Sequence, residues 1–198
     1  MKVFRDLFRR MGISALWYVG VFAAVIVVLR VVFKAEEMDV AVTLTSISNI
    51  SGRIYMIMLG IACPLVYFPR YIAVGVTRKR FALGIFASGA LLSLCFFAAL
   101  RIPLLAWGGG LSLLAVLIPA LYGALAFLIG WTASVGFQYT RGAPILVGIV
   151  CACAILAGVA ALERLGLRSW PSLSIAVCAI GLVGLPLLRA VMGIPVRC

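Results

Sequence analysis

The chain contains no histidine, and only five of its 198 residues are acidic. Without imidazole, a serine or cysteine nucleophile has no ordinary general base, and a metal site has no nitrogen ligand. Ser88, Ser93, Ser134 and Ser174 therefore lack the partner that would activate them. No Asp or Glu falls in the middle of an apolar run. That argues against paired-carboxylate catalysis and against the intramembrane proton-binding acid of many pumps and secondary transporters. Lysine is almost as scarce: Lys2, Lys34 and Lys79 are the three, and none closes a G-x-x-x-x-G-K-[ST] phosphate loop. No catalytic, cofactor-binding or metal-ligating residues are expected. Any energy the protein uses would have to arrive from another chain.

Charge itself is sparse. Charged residues make up 11% of the chain and hydrophobic ones 66%, whereas a soluble domain carries about 25% charged and 45–50% apolar residues. Apolar runs of about 20 residues recur, the length that crosses a hydrocarbon core. They predict an all-α polytopic membrane protein with six transmembrane helices, over 13–33, 50–69, 81–100, 111–136, 144–161 and 172–190. Residues 1–198 read as one transmembrane domain: a short N-terminal amphipathic interfacial helix at 1–12, then the six-helix bundle at 13–198. The net charge of +12 sits in short loops beside these runs, which fits lipid and topology rather than nucleic acid. Five of the six cysteines lie within apolar runs, where Cys acts as a small hydrophobe. Cys151 and Cys153 fall about 200° apart on a helix, so they do not form a ligand pair.

Placing the N-terminus in the cytoplasm puts eleven cations inside: Lys2, Arg5, Arg9, Arg10, Arg70, Arg78, Lys79, Arg80, Arg141, Arg189 and Arg197. Six fall outside: Arg30, Lys34, Arg53, Arg101, Arg164 and Arg168. The positive-inside rule then places both termini in the cytoplasm of a cell inner (plasma) membrane protein. The outer connections are 34–49, 101–110 and 162–171, and the inner ones 70–80 and 137–143.

In the segment MKVFRDLFRRM, Phe4, Leu7, Phe8 and Met11 share one helical face, while Lys2, Arg5, Arg9 and Arg10 lie off it. Such a helix suits the inner membrane interface, with aromatics at the acyl boundary and cations at the phosphates. A plain topology signal is the alternative. Arg30 and Arg53 sit near the outer ends of the first two spans, where they can snorkel to headgroups or meet Glu36, Glu37 and Asp39. Pro64, Pro119 and Pro186 fall inside spans, where each removes an intrahelical hydrogen bond. Gly84 with Ser88, and Ala154 with Gly158, have the four-residue spacing of close helix approach.

The stretch AVGVTRKRFALG, residues 73–84, is the most informative. Gly75 can end a helix in the left-handed conformation, and Thr77 can cap the next one. Arg78, Lys79 and Arg80 then occupy the first turn, the positive end of the macrodipole, at a cost of about 0.3–1 kcal/mol each. Intrinsic helix stability is therefore not why they are there. Topology fixation, lipid-phosphate binding and docking of a cytoplasmic partner are the three readings that remain.

YFPRYIAVGVTRKRFALGIF resembles the segment after the second span in the permease subunits of type-2 ABC transporters. There a Gly-x-[ST]-[RK]-[RK]-x-[FY] pattern precedes the third span, matched here by Gly75, Thr77, Arg78, Lys79 and Phe81. An interfacial N-terminal helix, six spans and a short basic tail add an architectural likeness. The resemblance implies a permease subunit, of an exporter for a peptide, drug or lipid-like substrate, powered by a separate ATP-binding subunit in the cytoplasm. It further implies a coupling helix on that subunit, formed by the loop that includes Gly75, Val76, Thr77, Arg78, Lys79, Arg80 and Phe81. The helix carrying Phe4, Arg5, Leu7, Phe8 and Arg9 would lie nearby, and two six-span units, a homodimer or related subunits, would face each other. ATP would act only through the partner. Two other classes remain open: a six-span vitamin-capturing subunit of an energy-coupling transporter, and a non-transporting scaffold, immunity or sensor subunit.

Overall fold

The computed structural model describes residues 2–33, 37–105 and 113–139, with Val177, Cys178, Ile180 and Gly181. They form four long helices: α1 (Lys2–Phe33), α2 (Glu37–Ala73), α3 (Arg78–Leu105) and α4 (Leu113–Tyr139). No strand occurs among the described residues. Each helix holds a stretch long and apolar enough to cross a membrane: Val3–Val28, Thr45–Ala73, Arg78–Ile102 and Val116–Ser134. In a bilayer every backbone polar group must be satisfied within the segment, which leaves helices as the solution for such runs. The chain is thus an α-helical, polytopic membrane protein. The expected spans 144–161 and 172–190 lie outside the described residues, apart from the four named above. Pro186, the 154–158 pair and the cysteines at 151, 153 and 198 lie outside them altogether.

The helix boundaries depart from expectation in two places. The first twelve residues are not a separate element, because α1 runs unbroken from Lys2 to Phe33. Nothing between Arg10 and Ser14 breaks it; Gly12 alone does not end a helix whose flanks are good formers. The apolar face is nevertheless real. Leu7 and Met11 are fully buried in the bundle core, with Val3 and Phe8 packed against it. At the other boundary, α2 begins at Glu37 rather than Ile50, so most of the expected outer connection 34–49 is helical. Its Asp, Thr and Ser residues are tolerated because a helix satisfies the backbone regardless of side chain. Arg53 therefore stands sixteen residues into α2 rather than near its start. Its guanidinium stacks over the Tyr122 ring, 4.9 Å from the centroid.

Short distances between backbones set the packing. α2 and α4 form the most extensive pair. Gly60 faces the Phe127 carbonyl, and a Cβ built there would stand 2.1 Å from its oxygen. Gly130 faces the Ile57 carbonyl in the same way, also at 2.1 Å. α3 closes on α4 through Gly123, whose Cβ position lies against Phe97, and through Ser93, whose hydroxyl donates to the Ala120 carbonyl at 2.6 Å. α1 leans on α3 where Gly84 meets Val3 and Leu7. Small residues at crossings are the usual device where lipid supplies no hydrophobic drive between helices. Of the four serines, Ser88 and Ser93 are buried and donate to backbone carbonyls, Ser134 is buried, and Ser174 lies outside the described residues.

Candidate functional site at the turn joining α2 and α3

α1 and α3 both begin at one end of the bundle, and α2 ends there. The link is the four-residue turn 74–77. The Gly75 N–H donates to the Ile72 carbonyl at 2.9 Å, and the Val76 N–H to the Tyr71 carbonyl at 3.0 Å. That pair of bonds defines a Schellman cap, which requires a left-handed residue, and Gly75 supplies it with φ +82°. A residue with a Cβ would pay roughly 1–2 kcal/mol for the same φ. Val76, the residue after the glycine, packs back on the core beside Tyr71. The Thr77 carbonyl accepts the Phe81 N–H at 3.0 Å and starts α3.

The resemblance implied a coupling helix within 70–81, and no separate helix exists there. Residues 70–73 stay in α2 until the Schellman cap stops it, and Arg78 already belongs to α3. The feature is a tight turn rather than a helix lying across the bundle end. Its expected contact residues divide by burial. Gly75, Thr77, Lys79 and Arg80 are exposed, Val76 and Arg78 half-buried. Phe81 is 0% exposed, its ring turned into the bundle. It anchors the turn from within, its ring 5.3 Å from Phe68 and 5.6 Å from Tyr71. Val74 was not singled out from sequence, yet at 83% exposure it is the most prominent apolar side chain of the turn.

The start of α1 stands beside this turn. Arg5 and Arg9 are exposed, Leu7 is buried, and the half-buried Phe4 and Phe8 rings stack 5.9 Å apart. Asp6 links the two elements: the Tyr71 hydroxyl donates to its Oδ2. Arg10 donates through Nε to both Asp6 oxygens, at 3.3 and 3.2 Å, and lies over the Tyr67 ring at 5.9 Å. The Asp6–Arg10 pair has helical i,i+4 spacing and was open to reading from sequence. The partnership with Tyr71 was not, since 65 residues intervene. Together these contacts hold the α1 start against the α2 end, so the turn is presented by a rigid platform of three helices.

The turn thus presents exposed cations and an apolar tip, beside further cations on α1. No family model, curated protein or solved structure matches the chain.

Proposed function

We propose that the chain is the membrane-spanning permease subunit of an ABC transporter, with the α2–α3 turn as the docking point for a cytoplasmic ATP-binding subunit. One observation carries this reading. The turn is locked by a Schellman cap and by buried Phe81, and it holds Val74, Thr77, Lys79 and Arg80 out from the bundle end. A surface that transmits force must be rigid at its base and exposed at its tip, and this one is both. The cation count favours the cytoplasm for this end, with both termini on that side of the inner membrane.

Substrate passage would then need a second unit. Among the described residues a run of rings joins α1, α2 and α3: Tyr18, Tyr55, Phe96 and Phe97 meet in sequence with centroids 4.7–5.3 Å apart, the last pair edge-on. A path between two such bundles, from a homodimer or a related permease, is the arrangement that leaves those cores intact. Export of a peptide, drug or lipid-like molecule fits the apolar helix faces such a pair would present.

Co-expression with a phosphate-loop ATPase encoded beside the chain tests the docking. The double variant Lys79→Glu, Arg80→Glu touches no core residue and is expected to keep its helix content. Co-purified ATPase should fall by about tenfold or more, since like charges set opposite each other cost several kcal/mol and 1.4 kcal/mol is already tenfold. Undiminished co-purification of the ATPase with the charge-reversed chain would remove the turn from the interface.

A further inference from the structure

We propose that the cavity between the start of α1 and the end of α2 binds the phosphate of an anionic phospholipid headgroup. The cavity shares Val74 and Val76 with the turn, but its polar wall lies apart from Lys79 and Arg80, and its binding does not depend on an ATPase partner. The cavity measures about 410 Å³, within the roughly 300–1,000 Å³ of small-ligand sites. Its polar wall is Asp6, Arg10, Tyr67, Arg70 and Tyr71. Asp6 is already engaged by the Tyr71 hydroxyl and by Arg10 Nε. Arg10 uses only Nε for that contact, so its two terminal amino groups keep their donors. Arg70 is exposed and makes no ion pair among the described residues. The Tyr67 hydroxyl also makes no hydrogen bond among them.

Two guanidinium groups against one carboxylate leave the cavity one positive charge in excess. Guanidinium forks match phosphate oxygens in geometry as well as in charge, and a tyrosine hydroxyl adds a further donor. The remaining wall is Val3, Val74 and Val76, apolar surface that a glycerol backbone or the first acyl carbons would cover. The spans Val3–Val28 and Thr45–Ala73 both terminate at this cavity, which places it at headgroup depth. Free inorganic phosphate shares the charge chemistry, but it would leave the valines bare.

Full-length protein in detergent, titrated with short-chain phosphatidylglycerol, phosphatidylcholine or inorganic phosphate and read by native mass spectrometry, tests this. Saturable binding of phosphatidylglycerol is expected, with phosphatidylcholine and inorganic phosphate much weaker. Arg70→Gln should weaken phosphatidylglycerol roughly fivefold, the usual effect of one cation near a lipid phosphate. Tyr67→Phe, which keeps the ring and the packing, should weaken it about threefold and serves if Arg70→Gln does not fold. Arg9→Gln removes the same charge from an exposed site outside the cavity and should leave affinity unchanged. Equal loss in Arg9→Gln and Arg70→Gln would mean diffuse attraction and would overturn the site. Inorganic phosphate binding as tightly as phosphatidylglycerol would overturn the lipid assignment.

Discussion

Gly130→Ala is expected to destabilise the bundle by about 1–2 kcal/mol, although alanine is the better helix former. The new Cβ would sit 2.1 Å from the Ile57 carbonyl oxygen and 2.9 Å from its carbon. Those are backbone atoms of the neighbouring helix, so no side-chain rotation relieves the clash, and α2 must move away from α4. Overpacking of this kind costs roughly 1–3 kcal/mol and sometimes more, and separating the helices also loosens the contacts around Gly60. Against that, Gly→Ala in a helix interior gains at most about 1 kcal/mol. The clash therefore wins. Gly20→Ala is the matching control, because nothing stands within 4 Å of its Cβ position on α1. Only the propensity gain remains there, so the sign should reverse. Denaturant titration of both variants in detergent micelles, followed by circular dichroism, reads the two signs directly.

Phe81→Ala is expected to cost about 3 kcal/mol, the lower part of the range for burying-ring deletions. The lower part applies because the competing environment is lipid as well as water, and lipid offers less penalty for loosened packing. The ring is wholly buried and meets Phe68 edge-on at 72°, with Tyr71 beside it. Its removal opens a void beneath the Schellman cap, beside the tyrosine that holds Asp6. Amide exchange at Gly75 and Val76 should therefore quicken along with the loss of stability. Exchange at those amides unchanged in a destabilised Phe81→Ala protein would show that the turn is held by its cap alone.

How much of this was written openly in the sequence varies by element. The first four spans were legible because apolar runs of sufficient length admit one solution in a bilayer. The turn was legible too: Gly75 between apolar runs, followed by Thr77 and three cations, signals a helix end and a helix start. Phe81 carried no sign that it points inward, since an apolar residue at the head of an apolar helix reads the same on either face. The start of α2 was missed because polar residues such as Asp39, Thr43 and Ser46 look like a loop, whereas the helix carries through them. α1 was divided at Gly12 because amphipathic and uniformly apolar segments differ in pattern, and pattern says nothing about whether the backbone bends between them. Gly60 and Gly130 were invisible among twenty glycines; only the crossing of α2 with α4 distinguishes them. The cavity of Arg10, Tyr67 and Arg70 likewise needs the third dimension, because it joins residues from two helices far apart in the chain.

The central claim is that the α2–α3 turn is where a cytoplasmic ATPase grips the membrane bundle. The most direct test is a photo-crosslinking amino acid placed at Val74, the exposed apolar residue of the turn, in cells that make the full chain. The account predicts a crosslinked product containing the ATP-binding protein, lost when Lys79 and Arg80 are changed to glutamate. Crosslinks to lipid alone, with the ATP-binding protein present, would contradict it.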